Sequence, residues 1–258
     1  MSSAENFRVG ELAASGGHSL LADSSGVVAV MNDIPPCAVC GGLEYRHQDV
    51  LWQGLIADWG LSKEETAYVN RQQGTQCTSC GSNIRSIALA NALCRSFGHL
   101  GVLDELIGRR PVERLLEVNE AGSLHSRLQK FPGYAFASYP EYDLMDLALG
   151  DGSYEFIVHS DTLEHVPDPV RALIEIRRVL RPGGRTVFTV PIVIGRMTRS
   201  RDGLPSSYHG DAAMEAADQV VHTEFGADAW TMVLKAGFSS CELVPFDYPA
   251  GIAISAVR

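Results

Sequence analysis

The chain has 258 residues, a formal net charge of −10 and a pI near 5.2, with 45% hydrophobic and 20% charged residues. That composition is ordinary for a soluble globular protein and supplies enough apolar material for a substantial core. The acidic balance argues against tight binding to RNA or DNA. No apolar run approaches the roughly 20 residues that a membrane-spanning helix needs. The N-terminus lacks the basic and apolar regions of an export signal, so a cytoplasmic location is expected.

In chain order, residues 1–34 show weak patterning with Gly and Ser interruptions and are expected to form a loosely attached arm. Two cysteine pairs follow, Cys37-Ala-Val-Cys40-Gly and Cys77-Thr-Ser-Cys80-Gly, separated by 36 residues. Each two-residue spacer puts both sulfurs on one side of a tight turn, and the glycine after it relieves crowding. Two such knuckles supply four thiolates for a closed tetrahedral zinc site, Cys37, Cys40, Cys77 and Cys80. An iron–sulfur cluster or two redox-active pairs are the alternatives. Cys94 and Cys241 sit among apolar residues and read as packing residues. Between the knuckles, Ser62-Lys-Glu-Glu65 is a capping-box pattern that predicts a helix start, with Gly74 as its stop. After the second knuckle, residues 84–97 predict an amphipathic helix with Ile84, Ile87, Leu89 and Leu93 on one face. Residues 35–108 are therefore expected to form a zinc-clasped, mainly helical module.

The remaining chain, 109–258, alternates strands with helices, which predicts a mostly parallel α/β sheet with a ligand at the carboxyl ends of its strands. Residues 112–118 (VERLLEV) predict a strand ending near Glu117, residues 119–122 a turn and residues 123–130 a helix. A second strand at 134–138 leads into an acidic segment with Glu141, Asp143 and Asp146. A third strand at 155–159 precedes Asp168-Pro169, an N-cap with proline at the first helical position. Residues 181–184 (RPGG) end that helix and 186–190 form the next strand. Residues 239–257 predict two strands joined around Pro249-Ala250-Gly251, a closing antiparallel hairpin.

The motifs LEHVPDP (residues 163–169) and LRPGG (180–184), in this order after the strand–turn–helix unit, resemble those of class I S-adenosylmethionine-dependent methyltransferases. The likeness covers roughly residues 112–258. The two CxxCG knuckles and the CGSNIRSIALA stretch (80–90) are similar to bacterial methyltransferases with a zinc module before the catalytic domain. The resemblance implies a Rossmann-like sheet and S-adenosylmethionine as cofactor. It places Glu117, Asn119 and Gly122 along the methionine end of the cofactor and gives the ribose hydroxyls to Glu141, with Asp143 as second choice. The adenine amino group goes to Asp146 beside Leu147, and Ser160 to Leu163 wall the methionine side. The family's first loop carries two or three glycines, whereas this chain has Gly122 alone, with Asn119-Glu120-Ala121 before it.

Methyl transfer from a sulfonium depends chiefly on alignment, and a general base helps when the acceptor is a hydroxyl. The candidates are His165 and Asp161 after the third strand, and His209 and His222 in a polar insert at 195–223. His159 is expected to be buried. Arg196, Arg199 and Arg201 in the insert are expected to be a solvated loop. The favoured function is O-methylation of a small-molecule acceptor such as a sugar or specialised metabolite. An RNA methyltransferase with a zinc module and a non-catalytic binding protein are the alternatives. Magnesium held by Asp161 and nearby acids is open, as is the oligomeric state, a homodimer included.

Overall fold

A computed structural model describes residues 29–31, 33–109, 114–208 and 219–258. The predicted arm lies mostly outside these residues, as does His209. The N-terminal part runs β1 (Ala29–Met31), β2 (Tyr45–His47), α1 (Gln53–Asp58), α2 (Lys63–Gly74), β3 (Thr75–Cys77), α3 (Ile84–Ser96) and α4 (Leu103–Arg109). The sheet-forming part has β4 (Leu115–Val118), a 3-10 turn (Gly122–Leu124), α5 (His125–Leu128), β5 (Tyr134–Ala137) and β6 (Tyr154–Ser160). A second 3-10 turn (Leu163–His165), α6 (Pro169–Val179) and β7 (Leu180–Thr189) follow. The short strands β8 (Ile192–Val193), β9 (Arg199–Ser200) and β10 (Thr223–Gly226) precede α7 (Trp230–Lys235), β11 (Ser240–Phe246) and β12 (Gly251–Val257).

The local chemistry predicted for the helix ends is present. Ser62 Oγ accepts from the Glu65 amide, and the Glu65 carboxylate accepts from the Ser62 amide at 2.8 Å, so α2 starts in a complete capping box. Asp168 caps α6 by accepting from the Arg171 amide at 3.0 Å. Buried Ala172, Leu173, Ile176 and Val179 give α6 one apolar stripe, which it turns to the sheet. The LRPGG segment ends the helix and also opens β7. Pairing with β6 jumps from Tyr154–Leu180 to Phe156–Arg185, so residues 181–184 bulge out. Gly183 there has φ +75°, and a Cβ on Gly184 would sit 2.8 Å from the Arg181 carbonyl oxygen. Glycine is required at both positions.

The main sheet has six strands in the order β11-β12-β7-β6-β4-β5. β5, β4, β6 and β7 are parallel, and β12 runs antiparallel between β7 and β11, as the predicted closing hairpin requires. This is the mostly parallel, Rossmann-like sheet that the alternation of strands and helices predicts. One face is covered by α6 and α7, the other by α3, α4 and α5.

The N-terminal part is mainly helical, as predicted, and has two further features. It contains a three-stranded antiparallel sheet, β1-β2-β3, in which β2 pairs with both the strand at residues 29–31 and the strand that leads into the second cysteine pair. Its helix α3 also packs on the main sheet. Ile84, Ile87, Leu89 and Leu93 are all fully buried and share one core cluster with Leu115, Val187 and Val244. A Cβ on Gly251 would meet Ile84 at 2.9 Å and Ala88 at 3.3 Å, which shows how closely α3 approaches β12. The part that carries the cysteine pairs and the sheet thus share one continuous core.

Candidate active site

The chain leaves β4 toward β5 on one side and returns through β6 on the other. The carboxyl ends of β4 and β6 therefore flank the point where strand order reverses, the ligand crevice of such sheets. The loop after β4 uses left-handed backbone at two residues, Asn119 (φ +53°) and Gly122 (φ +55°). Asn119 tolerates this conformation, and its Oδ1 accepts from the Tyr139 amide at 3.1 Å. A Cβ on Gly122 would lie 3.5 Å from Ser86 Oγ at the start of α3.

Glu117 does not line the crevice. It is fully buried beneath the loop, where its carboxylate accepts from the Ala121 amide (2.8 Å), His125 Nδ1 (2.8 Å) and the Tyr134 hydroxyl (2.7 Å). Burial, then the adjacent carboxylate, raises the Tyr134 pKa and keeps that hydroxyl a donor. Glu117 is thus a positioning residue for the loop.

Three cavities meet at the crevice. The first, about 440 Å³, is lined by Asn119, Tyr142, Asp143, Leu144, Met145 and Val166 among others. A smaller one, about 240 Å³, lies between Gly122, Ser123 and Ser160 on one side and Asn83, Arg85 and Ser86 on the other. The third, about 440 Å³, is walled largely by residues of the N-terminal part, Trp52, Leu55, Trp59, Leu61 and Val69 among them.

Asp161 lines all three. It holds a left-handed backbone (φ +48°), its amide donates to the Thr189 carbonyl oxygen at 3.1 Å, and its carboxylate is ion-paired with Arg85. Aspartate, like asparagine, tolerates this conformation. Arg85 lines two of the cavities, and no sequence reasoning singled it out. Its signal was the CGSNIRSIALA stretch, whose likeness carried no residue role.

The acidic candidates separate. Asp143 lines the first cavity, while Glu141 and Asp146 are exposed and outside its lining. Leu147 and Leu163 are core residues, not cavity walls. The physical reason is a clip from α6. The Leu147 amide donates to Glu175, and Arg178 donates to the carbonyl oxygens of Leu147 (2.7 Å) and Leu149 (2.8 Å), which turns Leu147 inward. The Arg178 guanidinium in turn holds the Glu175 carboxyl below the usual carboxylate range.

His165 lines both large cavities. Its Nδ1 lies 3.0 Å from the Val220 carbonyl oxygen, which can only accept, so Nδ1 carries a proton, and its Nε2 lies 3.8 Å from the buried Glu164 carboxylate. His222 lines the first cavity, and its amide donates to the Glu164 carbonyl oxygen at 2.7 Å. His159 is fully buried and stacked on Phe188 at 4.6 Å, and burial lowers its pKa to about 3.

The four knuckle cysteines converge. Their sulfurs all lie within 4.8 Å of one another, with Cys37–Cys80 at 3.7 Å and Cys40–Cys77 at 3.8 Å. Four thiolates around one ion with metal–sulfur bonds of about 2.3 Å would stand about 3.8 Å apart. Among the described residues this is the only group of three or more His, Cys, Asp or Glu able to share an ion. The magnesium expectation finds no such cluster there, because Asp161 turns to Arg85 instead of to further carboxylates.

Arg196 and Arg201 are not a solvated loop, whereas Arg199 is exposed on β9. Arg196 pairs with Glu65 at 2.9 Å and donates to the Trp59 carbonyl oxygen at 2.7 Å. Arg199 pairs with Glu224 at 2.7 Å, and the buried Arg201 with Glu224 and, at 3.3 Å, Asp58. Acids distant in sequence neutralise all three, so they offer no basic patch.

Residues 112–188 match the protein family described as "Methyltransferase domain". A demethylmenaquinone methyltransferase of Staphylococcus carnosus is 33% identical over 109 residues, 42% of this chain and 39% of that protein. An uncharacterized 37.1 kDa protein in transposon TN4556 of Streptomyces fradiae is 51% identical over 49 residues, 19% of this chain and 14% of that protein. Among solved structures, a possible histamine N-methyltransferase of Thermotoga maritima superposes with a TM-score of 0.40 at 17% identity, covering 66% of this chain and 91% of that one. The chain spans less than half the length of these curated relatives. Sheet order and family match define the class: a Rossmann-like methyltransferase fold, similar over its central segment to S-adenosylmethionine-dependent methyltransferases.

Proposed function

We propose that this chain is an S-adenosylmethionine-dependent methyltransferase that O-methylates a small molecule. The observation that carries this reading is the meeting of three cavities at Asp161, on the reversal point of the sheet. Adenosine fits the first cavity, where Asp143 would take the ribose hydroxyls and Leu144, Met145 and Val166 would flank the base. The amino-acid tail fits the small cavity, where the Arg85–Asp161 pair offers one charge to each end of a zwitterion: guanidinium to carboxylate, carboxylate to ammonium. The third cavity then faces the reacting group and takes the acceptor.

When bound, S-adenosylmethionine supplies the methyl group, whose carbon bonds to the acceptor oxygen while the broken carbon–sulfur bond leaves its electron pair on a neutral thioether. His165, at the border of the cofactor and acceptor cavities, is placed to take the hydroxyl proton. His222 lines only the cofactor cavity and is assigned to support it. Zinc fits the four cysteines, since a tetrahedron of thiolates matches the sulfur spacing, and with all ligands from protein its role is structural. The segments 1–34, 35–108 and 109–258 are proposed as arm, zinc-clasped part and methyltransferase part.

Titration calorimetry with S-adenosylhomocysteine tests the assignment, and we expect binding with micromolar affinity. No heat and no thermal shift at millimolar ligand would refute it and favour a non-catalytic protein.

A further inference from the structure

We infer that the third cavity selects a planar, ring-bearing phenol rather than a sugar, and that the zinc-clasped part of the chain is what builds this specificity. The inference rests on the methyltransferase reading for the reaction, but the binding preference stands on the cavity's own chemistry.

The cavity holds about 440 Å³, within the range of small-molecule pockets of roughly 300–1,000 Å³. Its polar groups are unevenly distributed. Asp161, His165, Arg85 and Gln219 mark the end where it joins the cofactor cavities. Away from that end the walls are Val50, Leu51, Leu55, Leu61, Val69 and Val193 with Trp52 and Trp59, and a single amide side chain, Gln73. Trp59 is 6% exposed, and its ring N–H is already donated to Ser207 Oγ at 2.8 Å, so it offers the cavity carbon surface and no donor. Trp59, Val69 and Val193 belong to one buried cluster that ties α1 and α2 to the segment after β7, which fixes the wall in place. Glu65 and Arg196 lock the same junction through their ion pair, and the Arg196 guanidinium lowers the Glu65 carboxyl pKa to about 2.

A sugar would bring hydroxyl groups to every wall, and each one buried against Leu or Val without a partner is costly. A fused or substituted aromatic ring buries its faces on the indoles and aliphatic side chains and needs one polar contact. A single hydroxyl directed at His165 and Asp161 satisfies that condition. The ring supplies the affinity and the polar end supplies the orientation.

The test uses the full-length, zinc-loaded chain with 1-naphthol and glucose as probes, each titrated calorimetrically in the presence of saturating S-adenosylhomocysteine. We expect 1-naphthol to bind and glucose to give no heat at millimolar concentration. Trp52→Ala, at a partly exposed position, should weaken 1-naphthol binding about tenfold, and Leu55→Gln should do the same if the first variant is poorly folded. S-adenosylhomocysteine affinity, measured in parallel on every variant, should stay within twofold of the parent. Glucose binding without 1-naphthol binding overturns the inference, as does 1-naphthol binding that both variants leave unchanged. If S-adenosylhomocysteine fails to bind while 1-naphthol binds, the methyltransferase reading fails and the ring-selective cavity stands.

Discussion

Replacing Arg85 with Ala should cut the affinity for S-adenosylhomocysteine while leaving adenosine binding almost untouched. Arg85 is largely buried, its side chain 12% exposed, and it lies at the small cavity proposed for the amino-acid tail, paired with an Asp161 that is 28% exposed. A hydrogen bond to a charged group is worth about 1.5–3 kcal/mol net. Loss of one such contact therefore weakens binding by about 10- to 150-fold. The substitution also leaves Asp161 without its counter-charge near the ligand's carboxylate, which pushes the effect toward the upper end. Adenosine lacks the tail and reaches only the first cavity, whose lining does not include Arg85. Its affinity should change by less than about twofold. Arg85→Lys keeps the charge but loses the planar fork, so it should fall between parent and Ala. The assay is titration calorimetry of both ligands, with thermal melting to show that the variants are folded. Equal losses for the two ligands, or an S-adenosylhomocysteine constant within threefold of the parent, would refute the zwitterion site.

Three further outcomes are expected. Purified protein should contain about one zinc per chain by metal analysis, and Cys77→Ser or prolonged chelation should lower both the melting temperature and S-adenosylhomocysteine affinity, because Asn83 and Arg85 follow the second knuckle directly. Retention of parental affinity in metal-free protein would contradict that coupling. Glu117→Gln preserves shape but confronts one of three donors with an amide N–H, so it should destabilise by about 1–3 kcal/mol in urea titrations and weaken cofactor binding through the loop. A neutral result would mean that the loop is held by other contacts. His159 should make the fold acid-sensitive. Its folded pKa is about 3 against 6.5 ordinarily, so the unfolded chain binds the proton first as pH falls. Stability from this group is present above 6.5 and is lost at about 1.4 kcal/mol per pH unit down toward 3. His159→Leu should flatten the urea-midpoint profile between pH 6.5 and 4, and an unchanged slope would rule the histidine out.

What the sequence made legible was local. The Ser62–Glu65 box, the Asp168 cap, the closing hairpin and the convergence of the four cysteines rest on short-range chemistry that a few adjacent residues specify. What it hid was long-range pairing. Arg85 and Asp161 are 76 positions apart, and the partners of Arg196 and Arg201, Glu65 and Asp58, lie on elements before the sheet begins. Hence two of three arginines that read as a solvated stretch, Arg196 and Arg201, are bound internally, and a decisive arginine in a recognised stretch had no visible role. The acidic segment shows the same limit. Periodicity cannot say which of Glu141, Asp143 and Asp146 faces inward, because the α6 clip on Leu147 and Leu149 sets that turn.

The sparse glycines of the first loop follow from this division of labour. A glycine-rich loop serves a cofactor by leaving backbone amides open to it. Here the Ala121 amide is committed to Glu117 and the Asn119 amide to the Ala137 carbonyl oxygen, so the loop keeps few donors to offer. Only two of its residues need left-handed backbone, and Asn119 meets that need as well as Gly122 does. The positive charge at the tail cavity comes instead from Arg85, on a helix placed there by the second knuckle and packed against Gly122 through Ser86. On the proposed reading, the cysteine clasp and the missing glycines are two parts of one arrangement. A guanidinium from the N-terminal part does the work that loop amides do elsewhere, and its precision depends on the metal that holds the knuckle.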